Sequence, residues 1–214
     1  MKQNYQKQLE ELIRNQGESV PKLLLHSCCA PCSSYVLEYL SQHFSITVFY
    51  YNPNIYPEEE YRKRAAEQRT FIKRLSVRNP VGFLEGEFKP EEFYKAAAGM
   101  EELLERGERC YHCYRLRLLR TAQTAREFGF EYFCSTLSIS PLKNAEWLNE
   151  IGRELEEVCG VKWLPSDFKK REGYKRSIEL SEEYGLYRQD YCGCIFSKKQ
   201  RESEKKKNNT CHGK

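Results

Sequence analysis

The sequence predicts an α/β fold, a parallel sheet flanked by helices on both faces. Two observations lead there. Strand-like and helix-like stretches alternate along nearly the whole chain, the pattern of strands joined by crossover helices. The strand-like stretches are short and apolar, β-branched or aromatic, whereas the stretches between them carry helical periodicity. The length, 214 residues with 40% hydrophobic and 31% charged, allows one large domain, or one domain with a small appendage, and a core that needs no covalent staples.

Taken in order, residues 4–16 place Tyr5, Leu9, Leu12 and Ile13 on one helical face and stop at Gly17. Residues 22–27, Lys-Leu-Leu-Leu-His-Ser, read as a short buried strand. Ser33 and Ser34 are cap candidates for a helix over 33–43. Residues 45–51 are β-branched and aromatic, hence a second strand, and Asn52-Pro53-Asn54 turns the chain. Pro57 followed by three glutamates opens a helix to about Leu75. A third strand is expected over 80–85, then a helix over 90–106 that closes before Gly107, and another over 111–128 with Leu118, Ala122 and Ala125 at helical spacing. Strands at 130–136 and 161–164 flank a helix at 144–158. A helix over 172–184 stops at Gly185, and a last one starts near Cys194.

In such a sheet the functional crevice lies beyond the carboxyl ends of the strands. That rule brings Cys28 and Cys29, Asn52 and Asn54, and Ser135 to Lys143 to one place. The helix over 90–106 and the cysteine segment after it look like an insertion between strands three and four.

The N-terminus, Met1-Lys2-Gln3-Asn4-Tyr5, has no apolar signal region, and runs such as Leu23-Leu24-Leu25 are far too short to span a bilayer. The expectation is a cytoplasmic protein with no membrane partner. Ten cysteines in a reducing compartment are expected to be ligands or redox catalysts rather than a disulfide scaffold. The net charge of +4 is uneven: residues 198–214 hold seven Lys/Arg against two Glu, so the remainder is near −1. Residues 1–197 are therefore read as one domain and 198–214 as a basic C-terminal tail, either a solvated end or an arm that contacts nucleic-acid phosphates.

Seven cysteines fall into three groups. Cys28, Cys29 and Cys32 lie after the first strand, where a nucleotide-binding fold carries its phosphate loop. No glycine lies between Lys22 and Tyr35, so no backbone there can cradle a pyrophosphate; the loop offers thiols at a helix N-terminus instead. Cys110 and Cys113 form a C-x-x-C at the start of a helix. With Cys28 and Cys29 they complete four thiolates, a set that suits zinc and an iron–sulfur cluster equally. Cys192-Gly193-Cys194 can close a strained, labile disulfide, which suits a working dithiol; a second metal-ligand pair is the other reading. Asp190 stands close by as a proton donor, an extra iron ligand or a solvated turn carboxylate. Tyr111, His112, Tyr114, Arg115, Arg117 and Arg120, with Tyr50, Tyr51, Asn52 and Asn54, offer aromatic and cationic faces for an unstacked nucleotide, although each reads equally well as an ordinary amphipathic or core residue.

The combination Leu-His-Ser-Cys-Cys-Ala-Pro-Cys (25–32), Tyr-Asn-Pro-Asn-Ile-Tyr-Pro (51–57), Tyr-Arg-x-Arg (61–64), Cys-Tyr-His-Cys-Tyr-Arg-Leu-Arg (110–117), Ser-Thr-Leu-Ser-Ile-Ser-Pro-x-Lys (135–143) and Tyr-Arg-Gln-Asp-Tyr-Cys-Gly-Cys (187–194) resembles the QueH-type epoxyqueuosine reductases. The resemblance implies a nucleotide-binding-type fold, HUP- or Rossmann-like. It implies reduction of the epoxide of epoxyqueuosine to the alkene of queuosine at the tRNA wobble position, with a 4Fe–4S cluster. Carried over, the cluster ligands would be Cys28, Cys29, Cys110 and Cys113, and the redox-active disulfide Cys192–Cys194. On the chemistry of the residues, Cys192 and Cys194 are expected to supply or relay the electron pair, and Asp190 or Tyr191 to help protonate the oxygen. An additional mononuclear iron is left open. The partners would be tRNA carrying epoxyqueuosine and an electron donor that the sequence does not name. Three rivals remain: a zinc-stabilised nucleic-acid-binding protein without catalysis; a cluster-dependent tRNA sulfur transferase, against which the glycine-free loop weighs; and a general thiol oxidoreductase, which would need no tRNA. Cys32, Cys134, Cys159 and Cys211 receive no role.

Overall fold

Five strands form one all-parallel sheet in the computed structural model, which describes residues 3–211, with side chains through Lys207. The strands are β1 (Lys22–His26), β2 (Ser45–Tyr50), β3 (Val81–Glu85), β4 (Tyr132–Ser135) and β5 (Lys162–Trp163), in the order β3-β2-β1-β4-β5. This is the order of the first five strands of doubly wound nucleotide-binding sheets. The central strand explains the leucine run: Leu23, Leu24 and Leu25 are all fully buried, because helices cover both faces of the sheet.

The helices are α1 (Tyr5–Asn15), α2 (Ala30–Leu40), α3 (Glu58–Arg74), α4 (Pro90–Ala97), α5 (Glu108–Glu127), α6 (Ala145–Cys159), α7 (Gly173–Glu183) and α8 (Ile195–Cys211). The chain steps from β1 through β3 toward one edge, then returns past β1 and steps from β4 to β5 toward the other. Right-handed crossovers place α2 and α3 on one face and α5 and α6 on the opposite one. Accordingly α2 packs on α3 and α7, and α5 on α6, β1 and β4. The direction of winding reverses between β1 and β4, and a crevice opens at their carboxyl ends. Among the described residues no helix is long and apolar enough to cross a membrane.

Two elements differ from the sequence reading. Helix α2 begins at Ala30 rather than Ser33, because Pro31 sits in its first turn with its ring preset for helix. Ser33 and Ser34 are therefore inside the helix, and their hydroxyls donate back to the carbonyls of Ala30 and Pro31 rather than capping it. The helix expected over 90–106 ends at Ala97. Gly99 (φ +77°) and Arg106 (φ +76°) take left-handed conformations, and the Arg109 guanidinium gathers the freed carbonyls of Met100, Glu101 and Leu103. The last helix, expected to start near Cys194, is α8, and it runs on through residues 198–211. Its first turns are docked: Gln200 accepts from the Glu105 amide, and Arg201 donates to the Asp190 carbonyl. The side chain of Cys211 lies outside the described residues.

Candidate metal and redox centre

The first cysteine loop leaves β1 under tight control. The Ser27 amide donates to the Phe49 carbonyl at 3.0 Å, and Asn52 Nδ2 to the Ser27 carbonyl at 2.8 Å. From α3, the fully buried Gln68 accepts from the Ser27 hydroxyl at 2.8 Å and donates from Nε2 to Ser33 Oγ at 2.9 Å. Cys29 is the extended N-cap of α2, and no side chain caps that end. The three sulfurs of Cys28, Cys29 and Cys32 consequently lie within 4.8 Å of one another, with Cys28 and Cys29 at 3.8 Å. Among the described residues this is the one group of three or more His, Cys, Asp or Glu donors so close together. The Cys29 thiol, in hydrogen-bond contact with Cys28 sulfur, and the adjacent Cys32 thiol hold the Cys28 pKa well below the usual thiol range, while Cys29 and Cys32 are held above it. Cys32 is thus a member of the group although it received no role from the sequence. The available signal was its spacing of three from Cys29, which on the first turn of a helix is the same face.

Cys110 and Cys113 open α5 one turn apart, and both are buried. They lie outside the three-sulfur group. The Arg106 amide donates to Cys110 sulfur at 3.3 Å, and Cys113 packs with Cys194, Phe93 and Ala97. Burial raises both thiols, Cys113 to about 11.

The third group is pinned at each residue. The Cys192 amide donates to Ser197 Oγ at 3.0 Å, the Gly193 carbonyl accepts from the Tyr56 amide at 2.8 Å, and the Ser197 amide donates to Cys194 sulfur at 3.3 Å. Gly193 is required twice over: its φ is +117°, and a Cβ there would stand 3.1 Å from Arg64 Nη1 and 3.2 Å from Ile55. Burial pushes Cys194 up to about 12. Both cysteines are free thiols.

Cys28, Cys29, Cys32 and Cys192 border one cavity of about 580 Å³ at the switch point. Its wall includes the chain from Ile139 to Lys143, which the topology rule had assigned to the crevice. Three buried cations reach it. Lys143 is buried and pairs with Glu105 at 2.9 Å. Glu105 accepts in turn from Ser197 Oγ at 3.1 Å, so Lys143, Glu105 and Ser197 form one line ending at the Cys192 amide. Arg64, 1% exposed, pairs with Glu60 at 2.7 Å. Arg117, also 1% exposed, donates from Nε to the Cys113 carbonyl, but its Nη2 has no partner. Sequence reasoning missed Gln68, Glu105 and Ser197; none belongs to a short motif.

Asp190 lies at the mouth of the cavity, half exposed, ion-paired with Lys205, and the hydrogen bond from Lys205 holds its carboxyl below the usual range. Tyr191 donates to the Tyr56 carbonyl at 2.9 Å. The aromatic platform expected after β2 does not exist: Tyr50, Tyr51, Asn52 and Asn54 are buried and none borders the cavity. They build the loop instead, with Tyr51 donating to Glu92. On α5, Tyr111 packs edge-on against Trp147 and Arg115 pairs with Glu154; of the aromatic and cationic residues singled out there, Arg117 alone borders the cavity. Cys134 donates to the Leu164 carbonyl deep in the core, and burial lifts its pKa to about 12; Cys159 is likewise core.

Clustered soft sulfur donors beside an unpartnered guanidinium fit a thiolate-bound metal centre, with zinc and iron–sulfur both compatible with the donors. The fold and this crevice define the class: a doubly wound α/β protein with a thiol site at its switch point. Comparison with known proteins supplies the family. The model of the epoxyqueuosine reductase QueH family matches residues 23–200. Proteins named epoxyqueuosine reductase QueH align over most of the chain. That of Streptococcus pyogenes serotype M1 is 46% identical over 200 residues, covering 92% of this chain and 78% of its own. That of Staphylococcus epidermidis is 45% identical over 201 residues, covering 91% and 84%. That of Thermotoga maritima is 39% identical over 181 residues, covering 82% and 89%. The chain belongs to the epoxyqueuosine reductase QueH family and is an enzyme.

Proposed function

We propose that the chain reduces the epoxide of epoxyqueuosine to the alkene of queuosine at the wobble position of tRNA, in the cytosol, using a 4Fe–4S cluster and the Cys192–Cys194 dithiol. The observation that carries this reading is the shared cavity: the three-sulfur group and Cys192 border the same space of about 580 Å³. That volume suits a single extruded nucleoside.

Cys28, Cys29, Cys110 and Cys113 would hold the cluster, which when bound supplies electrons singly and a Lewis acid for the epoxide oxygen. The dithiol meets the electron balance. Oxidation of Cys192 and Cys194 to the disulfide releases two electrons and two protons; the epoxide takes up both pairs, both C–O bonds break, and alkene and water leave. A cellular electron donor then returns the pair to dithiols. Lys143, buried beside Glu105 and facing the cavity, stabilises negative charge on the departing oxygen and passes it a proton. Asp190, at the mouth, exchanges protons with solvent once it leaves Lys205. Arg188, Tyr174 and Ser177 on the outer wall hold the nucleoside. The N-terminal half of α8, with Lys198, Lys199 and Arg201, follows the phosphates of the anticodon arm.

Anaerobic incubation of the iron-loaded protein with tRNA carrying epoxyqueuosine, followed by nucleoside mass spectrometry, tests the reaction; absence of queuosine refutes it. Serine at both 192 and 194 should abolish turnover while the visible absorbance of the cluster survives, and full activity in that variant removes the dithiol from the mechanism. Iron counts in single serine variants of Cys28, Cys29, Cys32, Cys110 and Cys113 test the ligand set. Normal iron in all but the Cys32 variant would overturn the assignment.

A further inference from the structure

A charge taken out of water without a partner costs several kcal/mol. A buried guanidinium nitrogen with no acceptor therefore marks the place of an anion. Arg117 is such a group. It stands one turn beyond Cys113 on α5 and is 1% exposed. Its Nε is used by the Cys113 carbonyl at 3.2 Å, and its enclosed Nη2 is used by nothing. The two other buried cations on the cavity wall each have a carboxylate, Glu105 for Lys143 and Glu60 for Arg64. No acid pairs with Arg117 among the described residues. Sulfur lies on both sides of it: its Nε holds the backbone of Cys113, and it borders the same cavity as Cys28, Cys29, Cys32 and Cys192, with the Tyr114 ring beside it.

We propose that Arg117 is the built-in counter-charge of the metal–thiolate centre, a fixed guanidinium between the Cys28 side and the Cys113 side that compensates the negative charge of the sulfur-ligated group. The proposal rests on the cluster reading above. Four thiolates around an iron–sulfur core leave a net anion, and reduction adds to that charge. A fixed cation on the wall of the same low-dielectric cavity therefore favours the reduced state. Arg117 acts through the centre, so it is a positioning and charge-compensating residue, not a catalytic one.

The test compares wild type, Arg117→Lys and Arg117→Met, each as the full chain, metal-free and after anaerobic loading with iron and sulfide. Redox titration followed by electron paramagnetic resonance should give a more negative midpoint for Arg117→Met, with Arg117→Lys closer to wild type. Metal-free Arg117→Met should melt no lower than metal-free wild type, because it loses an uncompensated charge, whereas loading should stabilise wild type more. Equal midpoints at equal iron content overturn the proposal. So does a metal-free Arg117→Met chain that fails to fold, since the charge would then be needed without the centre. A fall in tRNA affinity with an unchanged midpoint also overturns it, in favour of a phosphate contact. Wild type that takes up no iron or sulfide refutes the cluster reading itself, a result distinct from all of these.

Discussion

Replacing Ser197 with alanine isolates the group that holds the dithiol in place. Ser197 is 3% exposed, and its hydroxyl accepts from the Cys192 amide at 3.0 Å and donates to Glu105 at 3.1 Å. Glu105 keeps Lys143 at 2.9 Å, so it is not orphaned. The Cys192 amide loses its acceptor in a partly buried position. A hydrogen bond to a charged acceptor contributes about 1.5–3 kcal/mol, and an unsatisfied buried donor costs about 1–3 kcal/mol. Because the amide is only partly buried and Glu105 is still paired, we expect about 2–3 kcal/mol. The loss falls on local opening of the Cys192–Ser197 segment rather than on the sheet, whose packing is untouched. At about 1.4 kcal/mol per factor of ten, hydrogen exchange in residues 190–197, read by mass spectrometry on the reduced, metal-free protein, should accelerate about 30- to 150-fold. Ser197→Thr, which retains the hydroxyl, should restore most of the protection. Protection of that peptide unchanged within about threefold in Ser197→Ala would refute the reasoning, because the hydroxyl would then not be what fixes the loop.

Other outcomes follow from the same structure. His26 donates from Nε2 to the Tyr51 carbonyl and accepts at Nδ1 from Ser135; burial, then Arg117, push its pKa from 6.5 down to about 3. The unfolded chain binds this proton near pH 6.5 and the folded chain only near 3, so stability is full above 6.5 and falls as pH drops toward 3, by about 2 kcal/mol at pH 5. Urea melts of metal-free wild type and His26→Gln at pH 7 and 5 should show a shallower pH dependence in the variant, and equal slopes would contradict this. Gly152 lies within α6, and a Cβ there would stand 2.1 Å from the Trp163 ring, whose Nε1 is held by Asn149. Helix propensity favours Gly152→Ala by about 1 kcal/mol, but overpacking reverses the sign. A net loss of roughly 2 kcal/mol lowers the melting temperature by about 4–8 °C, and a rise would refute the packing argument. Reversing Lys198, Lys199 and Arg201 to glutamate should weaken tRNA binding and flatten its salt dependence, by about one unit of log–log slope for each phosphate no longer neutralised. An unchanged slope would release α8 from that role.

Much of the architecture is legible in consecutive residues. The Leu23–Leu25 run, the β-branched stretch 45–51 and the proline-glutamate opening at 57–60 each state their element locally, since hydrophobic period and capping are properties of neighbours in sequence. The alternation of elements then gives the parallel sheet, and the sheet gives the crevice at its carboxyl ends. The cysteine groups were legible for the same reason, as short motifs at loop and helix starts. Tertiary structure alone decided what surrounds them. Gln68 steadies the first loop from α3, and Ser197 meets Glu105 across 92 residues of sequence. Arg117 reads as one more cation on an amphipathic helix until the sheet order turns that face toward sulfur. Strand order, not spacing, determines which helices share a crevice, and burial, not residue type, turns an ordinary arginine into a charge in need of a partner.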